Sequence, residues 1–444
     1  MEFAFPLQVN TAITLLNEAG YSAYVVGGAV RDLVMGKAPH DWDITTSARP
    51  EETEKVFEGF RIIETGMKHG TVTVLIDSMP LEITTYRLDG DYTDRRRPDT
   101  VLFAGSVLDD LSRRDFTCNA LACHPETGVI NEYGGIDDIA AKIIRCVGEA
   151  DVRFNEDALR ILRALRFASV LGFEIEKSTA DSIRRNYRLL EYVSAERVFT
   201  ELTKLLCGAS AGRILREFSE VIFFILPELE PMKGCEQSNI HHIYDVWGHT
   251  VASVESIAPD PVLRMTMLLH DCGKPECKTV DENGVDHFYG HDKISAEKAD
   301  AVLRRLRASN SFRYEVTALC ELHGFVPDKI SKKTYKKYIG RYGESLVRRL
   351  FEVRMADASA QNPAFSEEAL EANRRGLEIL NEILTDEPCF GVTDLAIGGR
   401  ELMAEGFGAG KRLGEVLGIL LDEVMDGKIK NEKSALIARA KELL

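Results

Sequence analysis

The segment VVGGAVRDLVMGKAPHDWDITT, Val25 to Thr46, restricts what this chain can fold into more than any other stretch. β-branched residues lead into Gly27 and Gly28, and a short helical run follows to Gly36. A second β-rich run then carries Asp41 and Asp43 on either side of Trp42. Side chains alternate along a strand, so the spacing predicts Asp41 and Asp43 on one face and Trp42 on the other. Two carboxylates held side by side repel each other unless a cation lies between them. A divalent metal ion is the simplest such cation.

The glycine pair sharpens that reading. Glycine lets backbone approach a ligand closely, and the start of a helix presents free N–H groups to an anion. Arg31 adds positive charge one turn later. The spacing is neither that of a P-loop nor that of the dinucleotide fingerprint. A third candidate strand holds Glu82 on the face opposite Leu81 and Ile83, where it can complete a three-carboxylate site. Such hard oxygen donors suit Mg²⁺. Two ions about 4 Å apart can activate a hydroxyl and stabilise a leaving pyrophosphate.

Around this segment helix and strand alternate. Helical spacing covers residues 7–19, Pro50 opens an acid-led helix, and "TVTVLID" and "LEITTYR" read as strands joined by a turn at Ser78–Pro80. From about Asp151 the pattern becomes almost wholly helical. The expected architecture is α+β, a sheet-bearing unit followed by helices, with a last boundary at Pro388–Gly391.

In "NEDALRILRALRF", Glu156, Asp157 and Arg160 are expected to open a helix, with Arg163 and Arg166 following at steps of three. Asp157 and Arg160 would then be neighbours on one face. A carboxylate beside a guanidinium fork can hydrogen-bond a base edge. Cytosine and adenine both place an amino donor beside a ring-nitrogen acceptor; uracil and guanine do not.

The first segment, together with "LSRRDFTCNAL", "NEYGGIDDI", "NEDALRILRALRF" and "SAERVFTEL", resembles the ordered signature of the class II tRNA nucleotidyltransferase and poly(A) polymerase family. The likeness spans roughly residues 20–205. It implies a polymerase β-like nucleotidyltransferase head (1–150), a helical neck (151–235), a helical body (236–362) and a helical tail (363–444). It further implies catalytic Asp41, Asp43 and Glu82, with Asp41 and Asp43 holding Mg²⁺. Gly28, Arg31, Arg114, Asn119, Asp157, Arg160, Arg163 and Arg166 are then nucleotide-binding. The implied activity is CCA addition to tRNA from CTP and ATP. The polar loop Tyr86–Thr100 resembles the segment that accompanies terminal adenosine addition. Poly(A) polymerase or A-only addition is the alternative within the family.

In the helical half, His249, His270–Asp271 and Asp357 follow one another in the order of the HD phosphohydrolase superfamily, with His291 and His323 as auxiliary groups. This resemblance implies an HD-like body with a second metal site, and a phosphohydrolase as a rival or second activity. A non-catalytic RNA-binding protein is a third reading.

Net charge is −16, which argues against general nucleic-acid binding. The basic runs Arg160–Arg188 and Asp328–Arg349 remain compatible with RNA, as do Lys411 and Arg412 at a glycine-led helix start. Nine scattered cysteines with no CxxC pair read as reduced thiols in a cytoplasm. Neither a signal peptide nor a membrane span is expected.

Overall fold

The computed structural model describes residues 3–63, 70–89, 101–385 and 389–443. The chain divides into two compact units, Met1–Pro227 and Glu228–Leu444. Most of the expected Tyr86–Thr100 loop lies outside the described residues, as does Pro388 of the expected last boundary.

The first unit carries strands β1 (Ala23–Val26), β2 (Asp43–Thr46), β3 (Arg61–Ile63), β4 (Thr71–Ile76), β5 (Met79–Thr85), β6 (Arg87–Asp89), β7 (Val101–Phe103), β8 (Ala122–His124) and β9 (Gly128–Ile130). Seven of them form one sheet in the order β3-β4-β5-β2-β1-β8-β9, and β6 pairs with β7 separately. Within the large sheet β2 runs parallel to β5, with Asp43 opposite Glu82. β1 is antiparallel to both β2 and β8.

Two local differences from the sequence reading have simple causes. β2 begins at Asp43, so Asp41 lies just before the strand, although Trp42 between them is buried as the alternation requires. The β4–β5 turn is Asp77–Ser78, not Ser78–Pro80. Both turn residues have positive φ (47° and 68°), the hairpin conformation that matches strand twist. Pro80 sits inside β5 opposite Leu75, one pair beyond the closing Ile76–Met79 pair. No ladder bond needs its missing N–H there, because pairing with β2 starts only at Glu82.

Helices α1 (Leu7–Glu18), α2 (Gly28–Val34), α3 (Pro50–Val56), α4 (Val107–Ser112) and α5 (Gly135–Ala141) accompany the sheet. They are followed by α6 (Ala150–Glu156), α7 (Leu159–Leu171), α8 (Lys177–Asn186), α9 (Ala195–Leu206), α10 (Ala211–Glu217) and α11 (Ser219–Ile225). α7 packs on α9, burying Leu162, Leu165, Leu202 and Leu205.

The second unit is helical apart from a short β-hairpin. Its helices are α12 (Val246–Ser256), α13 (Pro261–Leu269), α14 (Lys274–Cys277), α15 (His291–Arg305), α16 (Asn310–Leu322), α17 (Lys332–Tyr342), α18 (Glu344–Ser359) and α19 (Pro363–Thr385). Asp245 and Asp260 cap α12 and α13 by accepting backbone N–H bonds. A core of Tyr335, Ile339, Val347, Phe351, Leu380 and Ile383 joins α17, α18 and α19. α20 (Gly399–Ala404), α21 (Lys411–Met425) and α22 (Lys433–Glu442) close over their own core around Leu402, Leu420 and Leu436. No described helix is long and apolar enough to cross a membrane.

The "NEYGGIDDI" glycines have separate roles. Gly134 is left-handed (φ 71°) before α5, whereas a Cβ on Gly135 would sit 2.2 Å from the Thr117 carbonyl oxygen. That contact holds α5 against the turn bearing Asn119. Gly135→Ala should therefore destabilise the first unit by about 1–3 kcal/mol, measured as a shift in its thermal unfolding transition.

Candidate active site

In the first unit the open end of β2 and β5, the start of α2 and the start of α7 surround a cleft of about 520 Å³. Asp43 and Glu82 enter it from paired strands. Burial raises the Asp43 carboxyl above its ordinary value, and the charges of Glu82 and Asp41 raise it further; Arg114 opposes them. Negative charge is thus left partly uncompensated at this spot. The oxygens of Asp41, Asp43 and Glu82 are not drawn as tightly together as the histidine–aspartate groups of the second unit.

The opposite wall is cationic. Seven arginines and four carboxylates line the cleft, an excess of positive charge suited to a phosphate chain. Gly27 turns with φ 71°, and a Cβ there would stand 3.0 Å from Arg114. Arg31 donates to Asn119 (2.9 Å) and pairs with Asp32 (2.7 Å). Buried Asp110 holds both Arg113 (2.6 Å) and Arg114 (3.1 Å). Asp115 receives Arg163 (2.6 Å) and the Phe116 N–H (2.9 Å). Burial opposes ionisation of both acids, yet the arginines outweigh it and hold them below the usual carboxylate range. The ring of Phe167 underlies Arg31, Arg163 and Arg166, with guanidinium carbons 5.5, 5.4 and 3.9 Å from its centroid.

Gly28, Arg31, Asp43, Glu82, Arg114, Asn119, Asp157, Arg160 and Arg163 all line the cleft. Asp41 and Arg166 are not among its lining residues; Arg166 pairs with Glu201 at 2.6 Å. Asp157 does not open a helix beside Arg160. It forms the break between α6 and α7, where its carboxylate accepts the Leu159 N–H (3.1 Å) and so ends one helix and starts the next. Its ion-pair partner is Arg197 at 2.7 Å, while Arg160 pairs with Glu156 (2.6 Å) and donates to the Arg113 carbonyl (2.8 Å). Arg113, Arg197 and Phe167 are cleft residues the sequence reading did not select. Arg197 lies in "SAERVFTEL", but nothing in that block tells a cleft arginine from a surface one.

Comparison with known proteins decides the family. Residues 23–145 match the family model "Poly A polymerase head domain", and residues 287–440 match "tRNA nucleotidyltransferase domain 2". The chain is 33% identical over 431 residues to the CCA-adding enzyme of Ligilactobacillus salivarius (strain UCC118), covering 97% of this chain and 94% of that one. The chain belongs to the CCA-adding enzyme family. Likeness is greater in one half: the CCA-adding enzyme of Geobacillus thermodenitrificans (strain NG80-2) is 48% identical over 208 residues, 47% of this chain and 51% of that one. The solved Bacillus stearothermophilus CCA-adding enzyme in complex with CTP superposes with a TM-score of 0.74 at 30% identity, covering 98% of this chain and 96% of that one.

Two expectations about the second unit also meet the structure. His249, His270, Asp271 and Asp357 converge: His249 Nε2 lies 3.0 Å from Asp357 and 3.5 Å from Asp271, and His270 Nε2 lies 3.3 Å from Asp271. Several basic residues of the run Asp328–Arg349 are engaged in ion pairs, those of Lys332 and Lys337 at the surface. Lys332 pairs with Glu382, Lys333 with Asp426, Lys337 with Asp422, and Arg349 with Asp260 and Glu315. Lys411 at the glycine-led helix start is paired loosely with Glu415 (3.7 Å).

The Asp110 bracket gives a measurable consequence. Its depressed folded-state pKa contributes stability that is complete above the unfolded carboxylate value of about 3.9 and fades as pH falls below it. Asp110→Asn leaves Arg113 and Arg114 without their buried counter-charge and should cost about 3–5 kcal/mol at pH 7. Urea unfolding should show that gap narrowing at pH 3, where the unfolded carboxyl takes up a proton that the folded one resists.

Proposed function

We propose that this chain adds the terminal CCA of tRNA, joining nucleotides from CTP and ATP to the 3′ end without a nucleic-acid template. The observation that carries the reading is Asp43 set in register with Glu82 at the mouth of an arginine-lined cleft. It is supported by a relative, 30% identical over nearly the whole chain, that was solved with CTP. The relatives named above are CCA-adding enzymes, which favours this reading over poly(A) polymerase and over a phosphohydrolase as the main activity.

The division of labour follows from the cleft. Asp41 and Asp43, with Glu82 in support, fit Mg²⁺: they are oxygen donors, and Asp43 carries repulsion that a cation would relieve. Bound there, magnesium would ease loss of the proton from the tRNA 3′-hydroxyl and neutralise the departing pyrophosphate. Arg31 and Arg114, beside the close-approach backbone of Gly27 and Gly28, hold the triphosphate. Asn119 orients Arg31 and faces the ribose. Asp157 and Arg160 select the base, with Arg197 fixing the Asp157 carboxylate and Arg163 completing the pocket. Arg166 acts from behind through Phe167. Positioning and charge neutralisation provide most of the rate enhancement.

Residues 1–150 form the head, 151–235 the neck, 236–362 the body and 363–444 the tail, the helical parts holding tRNA by shape more than by sequence. The nine cysteines are free thiols, in keeping with work in the cytoplasm.

The test is incorporation of radiolabelled CTP and ATP into tRNA lacking its 3′ end. Asp43→Asn should lower the rate by more than about 100-fold while tRNA affinity is kept. Undiminished addition in the Asp41→Asn/Asp43→Asn double variant would sink the reading. Long runs from ATP alone would instead identify a poly(A) polymerase.

Arg160→Ala should narrow the preference for CTP and ATP over UTP and GTP in the same assay. A uniform loss with all four nucleotides would count against its base-selecting role.

A further inference from the structure

One face of α16 in the second unit lines a pocket that nucleotidyl transfer does not use. Asn310, Tyr314, Thr317 and Glu321 recur at steps of three and four, so they share that face. Val316, Leu319 and Cys320 turn the other way into the core. α17 ends against the pocket: Gly343, with φ 82°, stops the helix just after Arg341 and Tyr342, which complete the lining. We propose that this pocket holds one unstacked guanine base of the RNA substrate, a proposal that rests on the tRNA-extending activity proposed above.

The size suits a single flat ring system. The pocket holds about 240 Å³, whereas sites for drug-sized ligands run from about 300 to 1,000 Å³. Its walls are aromatic. Tyr314 stays 52% exposed, and Tyr338 braces Tyr342 edge-on at 6.1 Å. The Arg341 guanidinium lies over the Tyr342 ring, its carbon 4.9 Å from the centroid. Aromatic rings and guanidinium planes are the surfaces on which proteins lay the splayed bases of RNA. Burial raises the Tyr342 hydroxyl above its ordinary value; Arg341 opposes this and Glu321 adds to it, so both charges act at that ring.

The charges in the lining balance. Asp300 and Glu321 match Arg313 and Arg341, so the pocket lacks the excess of positive charge that a phosphate needs. Asp300 and Arg313 satisfy each other at 3.2 Å. Glu321 and Arg341, in contrast, form no ion pair among the described residues, although both line the same pocket. Thr317 Oγ1 is buried there with no hydrogen-bond partner among the described residues.

These three unsatisfied groups select the base. An ionised carboxylate only accepts, and it can accept two parallel N–H bonds at once. Guanine presents two such donors side by side, N1–H and its amino group. Adenine and cytosine set a ring-nitrogen acceptor beside the amino group, and uracil flanks its one N–H with carbonyls. Guanine also carries the acceptors O6 and N7, which a guanidinium fork matches. Stacking on Tyr342 leaves the in-plane donors of Arg341 available for them. The Thr317 hydroxyl can donate or accept, whichever the bound base leaves open.

The test uses the full chain, tRNA lacking its 3′ end, and CTP. Tyr314→Ala should raise the KM for tRNA by about 5- to 150-fold, the range for loss of one base stack, with kcat kept. Tyr314→Phe, which retains the ring, should restore the wild-type KM, and Glu321→Gln should raise it. Retained kcat shows that each variant is folded. Ultraviolet crosslinking of the wild-type complex, read by mass spectrometry, should join a guanosine to Tyr314 or Tyr342. An unchanged KM for tRNA in Tyr314→Ala and Glu321→Gln, or crosslinks from this pocket to other bases only, would overturn the proposal while CCA addition stands. Guanosine monophosphate that binds the wild type but not Tyr314→Ala, with the KM for tRNA unchanged, would give the pocket to a free nucleotide and overturn it too. Failure of the wild type to extend tRNA at all would instead remove the reading on which the pocket rests.

Discussion

The parallel pairing of β2 with β5 puts Asp43 beside Glu82, and the cleft is organised around that juxtaposition. Two acids on adjacent strands, with Asp41 close by, push the Asp43 carboxyl above its ordinary value once burial has begun to do so. A sheet has no internal means of relieving such repulsion. Relief comes from Arg114 on the facing wall and, in the reading proposed, from a metal ion. The same charge separation, acids on the strand side and arginines opposite, is what a nucleoside triphosphate with its metal requires.

Arginines gathered so densely would repel one another, so the wall needs its own restraint. Asp110 and Asp115 provide it from beneath, each buried and each bonded to arginine. Phe167 adds a flat apolar face under three guanidinium groups, where they can lie without hydrogen-bonding partners on that side. Electrostatic preorganisation of this kind has its cost met during folding, so the donors need little rearrangement when substrate arrives.

Much of the head was legible because its signals are local. Gly27 and Gly28 mark a strand-to-helix junction, and the alternation around Trp42 gives the buried and open faces correctly even though β2 begins two residues later than expected. The Asp157 region was harder. Its periodicity is helical on both sides, and the break depends on one side chain capturing the Leu159 N–H, a contact that spacing does not encode. Arg197 comes from α9, 40 residues away from Asp157, and only tertiary packing of α9 on α7 makes it part of the cleft. The lysines of α17 show a related limit: their pairing with Asp422, Asp426 and Glu382, distant in sequence, is set by tertiary packing and is not encoded in the basic run itself.

The two units also differ in how they would choose a cation. The first offers carboxylate oxygens at the edge of an open cleft, donors that leave room for water and phosphate and therefore suit magnesium. The second offers imidazole nitrogens fixed by backbone carbonyls within a closed helical core. In the head, Asp43 faces the cleft beside Glu82, and the repulsion of Glu82 and Asp41 adds to burial in disfavouring its charged form. In the helical unit His249, His270, Asp271 and Asp357 are buried, and Lys274 and Arg354 balance the two carboxylates where solvent cannot.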